Sequence, residues 1–274
     1  MKIVVAGKGG VGKTTIAGTL ARLLARRGHS VLALDADSNP MLGISLGIGP
    51  EETDALVAVR QGLETGETEH ARSTEGFVGR FGRDAPDAVR LVVASRIERP
   101  DPGCPCCGVS PERLLGELEG AGRIVIGDLE AGVGTLLRLR DGQADLVLLV
   151  VQPSAKSIEV ARRAIEIVGS RLPLLVVANR VRDGSDFDMV QAVADGHEVV
   201  VVPEDSEIER ADQDGQAPID TAARSPGVRA IEELAALLAR GYALPSTASP
   251  LAPMAPGPAP TPRVRQGLGP ARLH

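Results

Sequence analysis

A glycine-rich segment near the amino terminus has the composition of a phosphate-binding loop. Residues 7–14 read Gly-Lys-Gly-Gly-Val-Gly-Lys-Thr, which fits the pattern G-x-x-x-x-G-K-[ST]. Glycines let the backbone curl so that successive N–H groups face phosphate oxygens. Lys13 is expected to reach the β- and γ-phosphates of a nucleotide, and the Thr14 hydroxyl to ligate Mg²⁺. The predicted nucleotide-binding residues here are Gly7, Lys8, Gly9, Gly10, Val11, Gly12, Lys13, Thr14 and Thr15.

Aspartates stand at the ends of two later apolar runs. Val31–Pro40 reads VLALDADSNP and contains Asp35 and Asp37, and Ile124–Gly132 reads IVIGDLEAG and contains Asp128. A carboxylate at the carboxyl end of a strand, beside a phosphate loop, is well placed for magnesium and water chemistry. For Asp35, capping of the turn that follows is the alternative role.

The elements that must position these residues alternate along the chain. Short Val/Ile/Leu-rich runs predict strands buried on both faces of a parallel sheet, at Lys2–Ala6, Val31–Leu34, Arg90–Ala94, Arg123–Gly127, Leu146–Val151, Leu174–Ala178 and Val199–Val202. Helical patterns lie between them, at Lys13–Arg27, Pro111–Leu118, Ser154–Gly169, Phe187–Ala194 and Gly227–Arg240. This alternation predicts one α/β domain with a doubly wound, mostly parallel sheet.

Two segments depart from the alternation. Glu51–Asp87 is polar and punctuated by glycine, which predicts a helical or loop insertion. Tyr242–His274 contains eight prolines and no acidic residue, a composition typical of a disordered tail. The predicted division is therefore an α/β domain over residues 1–241 and a Pro/Ala-rich tail over residues 242–274.

Composition excludes several other classes of protein. The chain has 274 residues and a net charge of −6; the tail holds three of the 30 basic residues, which leaves −9 for the rest. A general nucleic-acid binder is therefore disfavoured. The longest apolar run, Leu146–Val151, is far shorter than the ~20 residues of a membrane span, and the amino terminus does not resemble a signal peptide. We expect a cytoplasmic protein with no membrane partner.

The three cysteines, Cys104, Cys106 and Cys107, fall within four residues. Such clustering favours metal or redox chemistry in a reducing compartment over a disulfide framework. In an extended C-x-C, the side chains of Cys104 and Cys106 lie on one face, so one chain offers two thiolates. A closed tetrahedral site needs four ligands, which a two-fold axis would supply. Four thiolates suit Zn²⁺ and could also hold Ni²⁺; a role without metal is the alternative.

Lys8 is a second lysine inside the glycine-rich loop, which the general pattern does not require. With it, the chain resembles the deviant-Walker ATPases, which include the MinD/ParA group and the nitrogenase iron protein, over roughly residues 1–240. The resemblance implies an ATP-hydrolysing homodimer in which Lys8 crosses the interface to the partner's nucleotide. The alternative is a surface cation that only raises the local phosphate concentration.

The same resemblance implies roles for the strand-end aspartates. Asp37 matches the aspartate that orients the attacking water, and Asp35 matches a carboxylate near the magnesium ion. Asp128 matches the Walker-B carboxylate, which holds a magnesium-bound water and senses the γ-phosphate. The implied catalytic residues are Lys8, Lys13, Asp37 and Asp128, and the implied magnesium site comprises Thr14, Asp35 and Asp128.

Two later segments resemble the family's contacts to the base. Val176–Arg180 implies that Asn179 pairs with adenine, and Val202–Asp205 implies that Pro203 lies beside the ring. For Asn179, an ordinary turn role is the alternative.

Within the family, the cysteine segment and the sequence around Asp128 are most similar to the accessory ATPase of nickel carbon monoxide dehydrogenase. That group carries a G-C-x-C element followed by a D-M-E-A-G-like stretch, and this chain has G-C-P-C and D-L-E-A-G. The resemblance implies a metal-insertion factor with a carbon monoxide dehydrogenase-like client. Val133–Leu137 departs from the family's His-Leu-Gly-Arg-Gly stretch. A MinD/ParA-type positioning or partition ATPase is the alternative function, and a metal-binding module with a vestigial nucleotide pocket is a third.

Overall fold

The predicted strands assemble into one sheet, and helices cover both of its faces. The computed structural model describes residues 1–56, 73–94, 111–118, 122–169 and 171–242. The strands in these ranges are β1 (Lys2–Gly7), β2 (Ser30–Ala36), β3 (Arg83–Ala85), β4 (Val89–Val93), β5 (Arg123–Leu129), β6 (Leu146–Val151), β7 (Leu174–Val181) and β8 (Val199–Pro203).

The helices of the same ranges connect the strands across the two faces. They are α1 (Lys13–Arg26), α2 (Leu42–Leu46), α3 (Thr74–Phe81), α4 (Pro111–Glu117), α5 (Gly134–Arg138), α6 (Ala155–Val168), α7 (Gly184–Val193), α8 (Ser206–Gln213), α9 (Pro218–Thr221) and α10 (Pro226–Gly241). Residues 50–56 are also helical, and Pro86–Ala88 form a 3-10 turn. In the described ranges, no helix is long and apolar enough to cross a membrane.

The sheet order is β3-β4-β2-β5-β1-β6-β7-β8, and every neighbouring pair is parallel except β3 and β4. Strand β1 therefore lies between β5 and β6 in the middle of the sheet. The carboxyl ends of β1, β2, β5, β6 and β7 meet at one edge, where open α/β sheets bind their ligands.

Alternate residues of the strands enter two separate apolar layers. Ile3 and Val5 of β1 pack with α1, α2 and α10, whereas Val4 and Ala6 pack with α4, α6 and α7 on the opposite face. This arrangement explains why the central strands contain unbroken apolar runs rather than alternating apolar and polar residues. The predicted single α/β domain with a doubly wound, mostly parallel sheet is confirmed.

The structure differs from the sequence prediction at some element ends. The 51–87 segment contains α3 and also the edge strand β3, whose three residues show no strand pattern and pair antiparallel with β4. Helix α7 begins at Gly184, three residues before the predicted start, because the Asp183 side chain accepts hydrogen bonds from the backbone N–H groups of Ser185 and Asp186. Tyr242 packs against the apolar layer that contains residues of α1. Residues 243–274 lie outside the described residues.

A buried arginine ties α1 to two distant segments. Arg22 is 3% exposed and donates to Asp87 from Nε at 2.7 Å, and it also pairs with Asp220 of α9. Arg26, one turn later, pairs with the same two carboxylates. The pairing joins the amino end of β4, the phosphate-loop helix and α9.

We predict that Arg22→Met lowers the free energy of unfolding by about 2 kcal/mol, because among the described residues it leaves the exposed Arg26 as the remaining ion-pair partner of Asp87 and Asp220. Urea unfolding measures the change. The matched control is Arg83→Met, which breaks the pair with Glu52 in which both side chains are about half exposed; it should cost less than about 0.5 kcal/mol. Equal losses in the two variants would contradict a stabilising role for the Arg22 cluster.

Candidate nucleotide-binding site

The glycine-rich loop joins β1 to α1, as its spacing predicts. A Cβ atom on Gly7 would lie 2.4 Å from the carbonyl oxygen of Val150, so that no side chain fits there. Gly12 has φ of 94° and precedes α1 directly, in the left-handed conformation that glycine adopts readily. The loop thus encircles the amino end of α1, where free N–H groups and the helix dipole favour an anion.

Three other segments hold this loop by hydrogen bonds. The N–H of Gly132 donates to the Gly7 carbonyl at 2.9 Å, and Asn179 Nδ2 donates to the Val11 carbonyl at 2.7 Å. Gln152 Nε2 donates to the carbonyl of Gly10 at 3.4 Å. Sequence reasoning missed Gly132 and Gln152 as loop contacts. Gln152 directly follows a strand, the same signal that indicated Asp128.

A threonine and a buried aspartate meet below the loop. Thr14 Oγ1 donates to Asp128 Oδ2 at 2.6 Å. Asp128 has no exposed surface, and its Oδ1 atom has no hydrogen-bond partner within the part of the chain that the structure describes. The side chain of Lys13 is buried beside it, and Asp35 lies in register with Asp128 on the neighbouring strand. The structure therefore brings together the four predicted residues Lys13, Thr14, Asp35 and Asp128.

The buried carboxylates have shifted pKa values. Burial raises the pKa of Asp128 to about 6, although the Thr14 hydrogen bond and the charge of Lys13 oppose the shift. Burial and the charge of Asp128 raise the pKa of Asp35 well above its ordinary value. A divalent cation would offset this crowding of negative charge. The unpartnered Oδ1 of Asp128 and the adjacent Thr14 hydroxyl fit Mg²⁺, an oxygen-seeking ion.

Asp35 and Asp37 contact the backbone of their own loop. Asp35 Oδ2 accepts from the Leu42 N–H at 2.8 Å and Oδ1 accepts from the Asp37 N–H at 3.3 Å. Asp37 is partly exposed, and its Oδ1 accepts from the Asn39 N–H at 2.9 Å. For Asp35, these are the hydrogen bonds of the turn-capping alternative.

An open cleft of about 460 Å³ lies beside the loop, where a base would follow the phosphates. Gly12, Asn179 and Pro203 line it, together with Thr15 of the first turn of α1. Asn179 is 8% exposed, and its hydrogen bond to the loop sets the orientation of its amide. The predicted base contacts thus share one cleft with the phosphate loop.

The other predicted site residues are Lys8, which the structure describes, and the three cysteines, which it does not. Lys8 is partly exposed and its Nζ donates to the carbonyl of Gly9 at 3.2 Å. Cys104, Cys106 and Cys107 lie outside the described residues. Among the residues that are described, no group of three or more His, Cys, Asp or Glu side chains could hold a metal ion. Mg²⁺ commonly uses one or two protein ligands together with waters and substrate phosphates.

Fold and site together define a P-loop nucleotide-binding protein. The chain belongs to the CobQ/CobB/MinD/ParA nucleotide-binding domain family, which it matches over residues 2–219.

Two relatives illustrate this membership. The chain is 31% identical to the carbon monoxide dehydrogenase accessory protein CooC of Rhodospirillum rubrum, over 88% of this chain and 97% of that protein. It is 32% identical to an uncharacterized ATP-binding protein of Methanocaldococcus jannaschii, over 76% of this chain and 87% of the relative.

Two solved structures of cell-division proteins share the fold of this chain. The Aquifex aeolicus MinC:MinD complex has a chain with a TM-score of 0.63 at 23% identity, covering 89% of this chain and 97% of that one. The Pyrococcus horikoshii septum site-determining protein MinD, in complex with Mg-ADP, also has a TM-score of 0.63, at 20% identity over 87% and 96% of the two chains. At these identities, the likeness establishes the shared fold.

We predict that Asp128→Asn stabilises the nucleotide-free protein at pH 7.5 and loses much of this advantage at pH 5. An ionised Asp128 costs stability above its pKa of about 6, and the cost declines as pH falls and the native state takes up the proton. The wild type should therefore gain about 1 kcal/mol relative to the variant between these pH values.

Urea unfolding in magnesium-free buffer at both pH values measures this difference. The exposed Asp141 provides the control substitution, Asp141→Asn, whose difference from wild type should not follow the same trend. A pH-independent difference for Asp128→Asn would show that its charged form is not penalised by the fold.

Proposed function

We propose that the chain is a Mg²⁺-dependent ATPase that works as a cytoplasmic homodimer and serves the insertion of a metal into a client enzyme. The observation that carries the ATPase assignment is the hydrogen bond from Thr14 to the buried Asp128, directly below the glycine loop. This contact supports the assignment, because a phosphate-bound magnesium ion needs oxygen ligands such as this hydroxyl and this carboxylate.

In this proposal, different residues of the site bind the phosphates, contact the base, orient the attacking water and hold the magnesium ion. Backbone N–H groups of the loop and the Lys13 ammonium bind the β- and γ-phosphates, and Asn179 and Pro203 contact the adenine. Asp37 orients the water whose oxygen bonds to the γ-phosphorus while the bond to ADP breaks. Thr14 and Asp128 would hold Mg²⁺, which neutralises charge on the phosphate oxygens. The products are ADP and inorganic phosphate.

Dimer formation would complete the site. Lys8 is partly exposed, its Nζ donates to the carbonyl of Gly9, and it forms no ion pair with the acidic residues that the structure describes. Its ammonium is therefore available to approach the nucleotide of a second copy, as the resemblance to deviant-Walker ATPases implies. A lysine so placed would stabilise negative charge that develops during hydrolysis.

The proposed cargo is Ni²⁺ or Zn²⁺ bound by Cys104 and Cys106 of both chains. The support is the C-x-C spacing together with the similarity to an accessory protein of carbon monoxide dehydrogenase. In this proposal, ATP closes the dimer around the metal, and hydrolysis releases the metal to a carbon monoxide dehydrogenase-like client. The alternative is a positioning or partition ATPase, which would bind vesicles or DNA in the ATP state instead of retaining metal.

We predict that substitutions of the two loop lysines, Lys8 and Lys13, impair different steps. Lys13→Ala should weaken ATP binding about tenfold or more, because a charge-assisted phosphate contact contributes about 1.5–3 kcal/mol. Lys8→Ala should leave ATP affinity within about twofold but impair hydrolysis and ATP-dependent dimerisation. Calorimetric titration, phosphate release and mass in solution give the three readouts.

The control for charge removal is Lys156→Ala, since Lys156 is an exposed lysine of α6. ATP hydrolysis at the wild-type rate in Lys13→Ala would contradict the assignment of residues 7–14 as a phosphate-binding loop. A Lys8→Ala protein that dimerises and hydrolyses ATP like its parent would remove the deviant-Walker role.

We also predict a stoichiometry of one metal ion per dimer. Cys104→Ser and Cys106→Ser should each abolish tight binding, because each removes two of four ligands of a symmetric site. Cys107→Ser, the matched control, should weaken binding less, since adjacent side chains of an extended segment face opposite ways. Affinity should fall below neutral pH as the thiolates protonate.

Metal analysis of untagged protein with and without ATP, combined with mass in solution, decides this. One-to-one binding by monomers, or a greater loss in Cys107→Ser than in the other two variants, would contradict the shared site. ATP-stimulated sedimentation with liposomes or DNA, without metal retention, would favour the positioning alternative.

A further inference from the structure

We propose that Asp35 is a positioning residue whose buried carboxylate closes the loop of residues 36–42, here termed the Asp37 loop, and so determines where Asp37 lies. The inference rests on the proposed ATPase function, in which Asp37 orients the attacking water. It differs from the role that the family resemblance implies for Asp35, which is proximity to magnesium.

Both oxygens of Asp35 are used by the two ends of this loop. Oδ1 accepts from the N–H of Asp37 at 3.3 Å, and Oδ2 accepts from the N–H of Leu42 at 2.8 Å. Asp35 is 1% exposed, so water does not compete strongly for these contacts. One carboxylate therefore joins the start of the loop to the first residue of α2.

The contact with Leu42 also replaces a missing helix cap. The N-cap residue of α2 is Met41, which makes no side-chain capping hydrogen bond. The first N–H groups of a helix need acceptors from elsewhere. Asp35 supplies one from seven residues earlier in the chain, and its negative charge suits the amino end of a helix.

Helix α2 is in turn fixed to the helix that carries Lys13 and Thr14. A Cβ atom on Gly18 of α1 would lie 2.7 Å from Cβ of Ser45, so the two helices are in close contact. Leu42 has no exposed surface and belongs to the apolar layer of α1. The far end of the Asp37 loop is thus anchored to the phosphate-loop helix, and Asp35 connects that anchor to the end of β2.

The donor set explains why a carboxylate is needed here. Two backbone N–H groups face the side chain, and a carboxylate offers two accepting oxygens, whereas an amide offers one oxygen and an NH₂ donor. Asp35→Asn would therefore keep the side-chain volume but place an NH₂ group against one of the two N–H groups. One end of the loop would be released.

The first test uses the wild-type protein without nucleotide and needs no activity. Amide hydrogen exchange by NMR should show the N–H groups of Asp37 and Leu42 protected at least about tenfold more than that of the exposed Ser38 in the same loop. Exchange of the Leu42 amide as fast as that of Ser38 would overturn the proposed closure.

The second test compares Asp35→Asn, Asp37→Asn and the double variant. Asp35→Asn should lower kcat about 10- to 100-fold, because a small displacement of a positioned group has effects of that size. The ATP dissociation constant and the magnesium concentration for half-maximal rate should stay within about twofold. Because Asp35 acts through Asp37, the double variant should be no slower than Asp37→Asn alone.

Asp141→Asn serves as the control for loss of a carboxylate, and thermal unfolding confirms that each variant folds. A wild-type rate in Asp35→Asn, a large rise in the magnesium requirement, or additive losses in the double variant would each overturn the positioning role. If Asp37→Asn itself hydrolyses ATP normally, it is the role of Asp37 in the proposed function that fails. Hydrogen exchange would still decide whether Asp35 closes the loop.

Discussion

The arrangement of the whole site depends on two carboxylates that are buried side by side at the carboxyl ends of neighbouring strands. Asp35 and Asp128 lie in register on neighbouring parallel strands, and neither reaches solvent. Such groups are costly unless hydrogen bonds or cations compensate them. The Thr14 hydroxyl, the Lys13 charge and the Leu42 N–H supply part of that compensation. Asp128 Oδ1 has no partner among the described residues, and a magnesium ion bound to a nucleotide would compensate its charge.

The glycine loop depends on neighbours that are far away in the chain. Its carbonyl groups accept hydrogen bonds from Gly132, Gln152 and Asn179. Gly132 comes shortly after β5 and Gln152 directly after β6, and Asn179 lies in β7 just before its pairing with β8 becomes irregular. Because β1 lies between β5 and β6, these contacts require the observed strand order. Hydrogen bonds therefore connect the phosphate loop directly to the base cleft and to the segment after Asp128.

Much of the fold could be predicted because most of the strands contain a short, unbroken apolar run. Burial on two faces leaves no polar alternation, and a run such as Leu146–Val151 has few other stable placements. Strand β3 escaped prediction because its pairing with β4, rather than its own composition, makes it a strand. The start of α7 was misplaced because the capping contact of Asp183 outweighs the apolar pattern.

The sequence by itself predicted the chemistry: a glycine loop with Lys13 and Thr14, and aspartates at the ends of apolar runs, have residue types and spacing typical of a phosphate and magnesium site. Tertiary structure decided how those residues share the work. It turned Asp35 toward the amides of its own loop, paired Asp128 with Thr14, and tied Asn179 to the Val11 carbonyl. These contacts join residues up to 168 positions apart. The turn contact of Asp35 is the alternative that the local sequence offered, whereas the contacts of Asp128 and Asn179 depend on the strand order, which the local sequence does not specify.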